Sequence, residues 1–288
     1  RQSAITGIFM DVQRIAAFSH DDRGGNPAGV VLLEEPIPEA EMARIAAEVG
    51  YSETAFAVQK GNDAKDWRVR YFAPESEVPF CGHATIALGA VLGERNGLQR
   101  YNLTLNDATI TVDAELKAGI MAAALSSPPT HSRSAEKSEL SDALALFALA
   151  EADLDPRLPP ARIHGGADHL VLALRDRSRL AAITYDLGQG RDVMRRHSIV
   201  TIMLVYVEDE QTFVVRNAFA SGGVLEDPAT GAAAAAFAGY LRDRGWKHRG
   251  QFTIRQGEDM GVPSLIDVVL TNEPGAPVRV AGQARRIE

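Results

Sequence analysis

The chain has 288 residues, 45% of them apolar and 24% charged, a composition that excludes extensive disorder or a fibrous chain and suits one large or two ordinary globular domains. Thirty basic against 38 acidic residues leave a formal charge of −8 with no long run of like charge, so nucleic acid is not an expected partner. A single cysteine, Cys81, rules out an intramolecular disulfide and a thiolate metal cage.

In chain order, Pro38 to Val49 places Met42, Ile45, Ala46 and Val49 at helical spacing and predicts an amphipathic helix that stops at Gly50. A strand over Thr54 to Val58, a turn at Gly61 and Asn62, and a strand over Trp67 to Phe72 follow, and a loop with Pro74 and Pro79 delivers Cys81-Gly82-His83. Ala84 to Gly93 carries no charge on any face and predicts a central, buried helix. The second half repeats this order. A helix around Arg191 to Arg196 precedes strands over Val200 to Val207 and Thr212 to Asn217, then a loop ending in Glu226-Asp227-Pro228 and the uncharged helix Ala229 to Leu241. Strands over Gln251 to Arg255, Leu265 to Leu270 and Val278 to Ile287 close the chain, the last expected to break at Gly282 by a turn or bulge. The longest uncharged apolar stretch, Pro228 to Leu241, is too short to span a bilayer, and Arg1 to Phe18 lacks a signal-peptide core, so the expectation is a cytoplasmic protein without a membrane partner.

The parallel is also metric. Arg70 precedes Cys81 by eleven positions and Arg216 precedes Asp227 by eleven, with Val78 and Val224 at matching places between them. Two related α+β halves follow, with the boundary in Ser126-Ser127-Pro128-Pro129-Thr130. The expected domains are 1–127 and 128–288, the C-terminal strand being free to return to the first, and their seam is the natural cleft.

Each buried helix starts with backbone N–H groups that lack an intrahelical partner, which favours anions. If pseudo-symmetry brings the two starts together, Gly82-His83 and Asp227 to Gly231 form a pocket for a small carboxylate, the glycines allowing close approach. Simple capping by Asp227 ahead of Pro228 is the competing reading, and both stay open. Glu53 stands where a helix gives way to a strand, while the corresponding place in the second half, near Ile199, is apolar. One acid in two otherwise parallel halves suits a single proton shuttle, while the commoner reading of such a residue is a solvated strand-edge glutamate. His83 would orient or share a proton with that carboxylate, or simply occupy a polar loop. Cys81 at a helix mouth reads either as a nucleophile of lowered pKa or as a buried, inert thiol. His164 and His169, five apart with no third ligand, give no metal site, and Gly24-Gly25-Asn26-Pro27 is a turn and not a dinucleotide fingerprint.

Taken together, Gly25-Asn26-Pro27-Ala28-Gly29-Val30, Ser52-Glu53-Thr54-Ala55-Phe56, Arg70-Tyr71-Phe72-Ala73-Pro74, Pro79-Phe80-Cys81-Gly82-His83-Ala84-Thr85, Glu226-Asp227-Pro228-Ala229-Thr230-Gly231 and Gln256-Gly257 with Met260-Gly261 and Pro263-Ser264 resemble the PhzF family. These are phenazine-biosynthesis-like proteins related in fold to diaminopimelate epimerase. The resemblance implies two similar domains, each a mixed, curled sheet round a central helix, a site at their interface, and often a homodimer. It also implies cofactor-free isomerisation by proton transfer on a small carboxylate-bearing metabolite, with Glu53, His83 and Asp227 catalytic and Gly82, Gly231 and Ala232 lining the substrate, and the absence of ligand clusters in the sequence adds the expectation that no metal is needed. Cys81 falls in the place of the related epimerase's first cysteine and Asp227 in that of its second, so two-thiol epimerisation is not expected. Ala232, where many members have serine, Val262 before Pro263-Ser264, and the lack of proline in Phe219-Ala220-Ser221 depart from the pattern and put substrate identity in doubt. A racemase or lyase of the same acid/base type, and a non-catalytic paralogue that binds a metabolite or a protein, are the alternatives.

Overall fold

The computed structural model describes residues 11–74 and 76–288, so the reading of Arg1 to Phe18 lies partly outside the described residues. Strand β1 (Gln13–Ser19) pairs antiparallel with β2 (Asn26–Leu33), and α1 (Glu39–Val49) crosses over to β3 (Thr54–Gln59), parallel to β2. Met42, Ile45 and Ala46 bury the inner stripe of α1, and Gly50 ends it in the left-handed region at φ 72°, its N–H donating to Ala46 O. Next come β4 (Asp66–Phe72), antiparallel to β3, the short β5 (Glu77–Val78), and α2 (Gly82–Asn96). β6 (Arg100–Thr104) lies parallel to β4, and β7 (Thr109–Lys117) and β8 (Ile120–Ser126) complete an antiparallel meander.

The second half follows with β9 (His131–Ser134), α3 (Lys137–Leu146), β10 (Ala161–His164) and β11 (Asp168–Leu174). Helices α4 (Arg177–Ala181) and α5 (Leu187–Arg196) then cross to β12 (Thr201–Asp209), parallel to β11. β13 (Thr212–Ala218), β14 (Glu226–Asp227), α6 (Gly231–Asp243), β15 (Gln251–Gln256), β16 (Ser264–Val269) and β17 (Arg279–Arg286) repeat the pairings of β4 to β8, with β13 parallel to β15 just as β4 is to β6. The class is α+β with a mixed sheet.

Absence of charge explains where the two long helices sit. Every residue of α2 from Gly82 to Gly93 is buried, against β2, β7 and β8, and the uncharged part of α6 is buried from Ala233 to Leu241, packed on β9, β10 and β16. A Cβ at Gly89 would fall 2.5 Å from Val112 Cγ2, so the helix approaches the sheet more closely than any side chain allows. β17 joins the halves: Arg279 to Ala281 pair with β16, Arg279 to Gln283 with β8, and Gln283 to Arg286 with β1. The break expected at Gly282 is absent. The irregularity lies across the ladder, where Phe18 takes φ 61° between Ala17 and Ser19, and Gly282 makes room for it, since a Cβ there would meet Phe18 Cδ1 at 2.4 Å. Among the described residues no helix is long and apolar enough to cross a membrane.

Candidate functional site

The starts of α2 and α6 abut. A Cβ on Gly82 would lie 3.6 Å from both Ala232 N and Gly231 Cα, so Gly82, Gly231 and Ala232 come together and the positive ends of both helices face one spot. Cys81 is the N-cap of α2 and Thr230 that of α6, and neither side chain caps its helix. This corrects the capping reading. Asp227 belongs to β14, and Pro228 precedes the helix rather than lying in its first turn.

The ladder register also corrects the eleven-residue parallel. Tyr71 faces Val78 on β5, and Asn217, at the same place in β13, faces Asp227 on β14. Ten positions separate Phe72 from Gly82 and thirteen separate Ala218 from Gly231, the extra three residues being taken up by the short helical turn Ala220–Gly222. Asp227 therefore stands in the place of Val78, Thr230 in the place of Cys81, and Val224 is an exposed loop residue. Similarly, Phe56 faces Arg70 and Leu204 faces Arg216, which puts Thr201, not Ile199, in the place of Glu53. Thr201 is buried and polar, its hydroxyl 2.7 Å from His169 Nδ1, and burial lowers the His169 pKa to about 4. His164 is engaged elsewhere, with Asp168 2.6 Å from its Nδ1 and His131 stacked on its ring.

Glu53 precedes β3 and is only 15% exposed, which disposes of the solvated strand-edge reading. His83, the second residue of α2, presents Nε2 at 3.3 Å from both Glu53 Oε2 and Ser52 Oγ, and Nδ1 at 3.3 Å from Cys81 Sγ. Glu53 Oε2 is buried and accepts no well-aligned hydrogen bond among the described residues, which leaves it free to take a proton from a ligand. Burial above all, then the adjacent Glu53 carboxylate, push the Cys81 thiol well up from its ordinary value, the reverse of the lowered pKa a nucleophile at a helix mouth would have. Donor atoms of Glu53, Cys81 and His83 lie within 4.8 Å of one another, a set able to ligate a borderline-soft cation such as zinc.

Asp227 is buried, and burial raises its pKa; Glu53 adds to the rise, while His83, the Thr230 hydroxyl and Asn26 oppose it. Asn26 Nδ2, from the start of β2, donates to Asp227 Oδ1 and Ala229 O, both at 2.9 Å, and so ties the first half to the second. Thr230 Oγ1 donates to Asp227 Oδ2, and Gln256 Nε2 donates to the Asp227 carbonyl at 2.7 Å. Sequence reading put Thr230 in the pocket without a role of its own, and missed Asn26, Asn217 and Gln256 as site residues. A signal was present: Phe213 and Val215 on β13 lead to Asn217, and Phe252 and Ile254 on β15 lead to Gln256, so each inward apolar period ends in an amide. On the outer face, Arg70 Nε donates to Glu77 at 2.7 Å and Arg216 Nη2 to Glu226 at 2.8 Å, so both loops that deliver the helices are pinned alike.

Comparison with known proteins identifies the family and the fold. The sequence model of the family described as "Phenazine biosynthesis-like protein" (PhzC-PhzF) matches residues 15–288. The chain is 29% identical over 280 residues to an uncharacterised isomerase of Bacillus subtilis, covering 94% of this chain and 93% of that protein. It is 30% identical over 255 residues to the trans-2,3-dihydro-3-hydroxyanthranilate isomerase of Pseudomonas fluorescens, covering 88% and 87%. Its fold matches that of a PhzF-family phenazine biosynthesis protein of Bacillus anthracis with a TM-score of 0.83 at 23% identity, over 97% of each chain.

Proposed function

The chain belongs to the PhzC-PhzF family, whose curated relatives are isomerases, and from that premise we propose that it is a cofactor-independent isomerase moving a proton on a small, carboxylate-bearing, partly unsaturated metabolite. One observation carries the reading: Glu53, His83 and Asp227 converge where two helix starts abut. In this reading the free N–H groups beside Gly82, Gly231 and Ala232 bind the substrate carboxylate, as anions bind at helix starts generally. Glu53 takes a proton from a substrate carbon while the electron pair moves into the conjugated system, and the proton returns at another carbon, so nothing is oxidised and no atom is lost. The His83 imidazole, 3.3 Å from Glu53 Oε2, orients that carboxyl and can share its proton, and buried Asp227 is the second acid of the site. The trans-2,3-dihydro-3-hydroxyanthranilate handled by the Pseudomonas relative is the first compound to assay. Cys81 is the chain's only cysteine and Thr230 stands opposite, so a two-thiol epimerisation lacks its second thiol. The resemblance to the family also supports a homodimer, the linker-like Ser126 to Thr130 supports units of 1–127 and 128–288, and the single cysteine suits a cytoplasmic protein.

Assay in deuterated water tests this. Wild type is expected to convert the substrate and place deuterium on the product carbon, and Glu53→Gln to lose turnover by roughly 10²–10⁴-fold while still binding a substrate analogue. Near-normal turnover by Glu53→Gln removes Glu53 from the mechanism. Activity lost on chelation and restored by one metal would make the Glu53, Cys81 and His83 cluster a metal site instead.

A further inference from the structure

The Thr230 hydroxyl sits at a junction. It accepts from Asn217 Nδ2 at 2.6 Å and from Gln256 Nε2 at 3.1 Å, which uses both its lone pairs, so its one hydrogen is directed to Asp227 Oδ2. Asn217 is fully buried, and among the described residues its carbonyl oxygen Oδ1 has no hydrogen-bond partner. A buried acceptor left unpaired costs free energy, and an amide that can satisfy only one of its two ends is placed to use either one.

We propose that Asn217, Thr230 and Asp227 form a two-state hydrogen-bond chain in which the Asn217 amide turns over as Asp227 gains or loses a proton. With Asp227 ionised, Asn217 Nδ2 donates to Thr230 and Thr230 donates to the carboxylate. When Asp227 Oδ2 is protonated, that new O–H donates to Thr230, the Thr230 hydrogen rotates to Asn217, and the amide turns so that Oδ1 receives it. Gln256 Nε2 donates to Thr230 in both states, and Asn26 continues to donate to Oδ1 of Asp227. Only one proton is gained or lost, at Asp227; the rest is rotation. The number of hydrogen bonds is the same in both states, so neither protonation state of this buried carboxyl is broken by its surroundings, as a group that both takes and returns protons requires. Asn217, Thr230 and Gln256 are thus positioning residues. The charged or titratable groups facing Asp227 are His83 and Cys81 from α2 and Glu53 from the turn before β3. Only in giving the chain a catalytic purpose does the inference rest on the proposed function; the coupling itself is a property of the ligand-free protein.

The experiment is an NMR titration of the ligand-free, isotope-labelled protein that follows Asp227 Cγ and the Asn217 side-chain amide together. The Asn217 amide shifts are expected to change with the same midpoint as Asp227. Thr230→Val is expected to move the Asp227 midpoint up by about one pH unit and to uncouple Asn217 from it, while Thr230→Ser restores both. An Asn217 amide that stays constant across the Asp227 titration overturns the proposal, as does a Thr230→Val protein whose Asn217 still follows Asp227. Should Thr230→Val not fold, the wild-type and Thr230→Ser titrations decide alone. Failure of the isomerase reading would appear separately, as normal turnover in Glu53→Gln with this coupling intact.

Discussion

At the start of α2 the inward residues of the supporting ladders are Tyr71, Cys81 and Leu105; at the start of α6 the same places hold Asn217, Thr230 and Gln256. Tyr71 spends its hydroxyl on Thr85 at 2.7 Å, inside its own helix, and Leu105 adds only apolar packing. The second trio instead turns three polar groups on one carboxyl and its strand. Two copies of one backbone frame therefore do different work: the first presents a thiol and an imidazole beside Glu53, and the second holds a buried acid. Pseudo-symmetry of the chain does not extend to chemistry, because a few inward positions decide what the helix starts face.

Asp227→Asn breaks the comparison hardest. Turnover is expected to fall by roughly 10²–10⁴-fold in a substrate assay, while the variant gains stability over wild type at neutral pH. The gain follows from the raised pKa. The folded state holds the Asp227 proton more tightly than the unfolded chain, so this group's contribution is full below the ordinary value of 3.8 and lost as pH rises through the raised one. Thermal melts of both proteins from pH 3 upward check the sign, and a wild type that gains on the variant with rising pH contradicts it.

The outer clamps sharpen the contrast next. Arg216 also donates to the carbonyls of Leu180, Ala181 and Ile183 at 2.9–3.1 Å, whereas Arg70 adds the exposed Glu39 to its Glu77 bond and lies over the Phe72 ring, 5.1 Å from its centre. Arg216→Ala is expected to cost about 2–3 kcal/mol in denaturant unfolding and Arg70→Ala about 1 kcal/mol; equal losses would mean that the carbonyl contacts add nothing. In the helices themselves, Gly89 and Ala238 both stand seven residues past the start. Gly89→Ala gains about 1 kcal/mol of helix propensity but forces a Cβ to 2.5 Å from Val112 Cγ2, and overpacking of about 1–3 kcal/mol should win, seen as a lowered melting temperature. The smallest effect belongs to Cys81→Ser, expected to retain turnover within about tenfold; a thousandfold loss, about 4 kcal/mol of barrier, would give the thiol a role equal to that of Asp227.

Much of this was legible in the sequence, for identifiable reasons. A helix without charge has to be enclosed, and α2 and α6 are; an apolar stripe that stops at a glycine marks α1; and the motifs around Glu53, His83 and Asp227 announce the family before any coordinate is known. Residue spacing, by contrast, gave the wrong partners. Counting eleven from Arg216 arrives at Asp227, but equivalence is set by ladder register, and a loop can absorb three residues at Ala220–Gly222 without moving the helix that follows. Gly282 read as a break because a glycine's cause is not local, and here it is Phe18, far away in the chain. The same holds for the site. Sequence by itself determined which helices are buried and singled out Glu53, His83 and Asp227 as the candidates for chemistry, since composition, period and motif act along the chain. Only the tertiary structure decided that Glu53 lies 3.3 Å from His83, that Asn26 reaches across to Asp227, and that Thr230 rather than Asp227 answers Cys81, because those contacts join residues up to 201 positions apart through the pairing of strands.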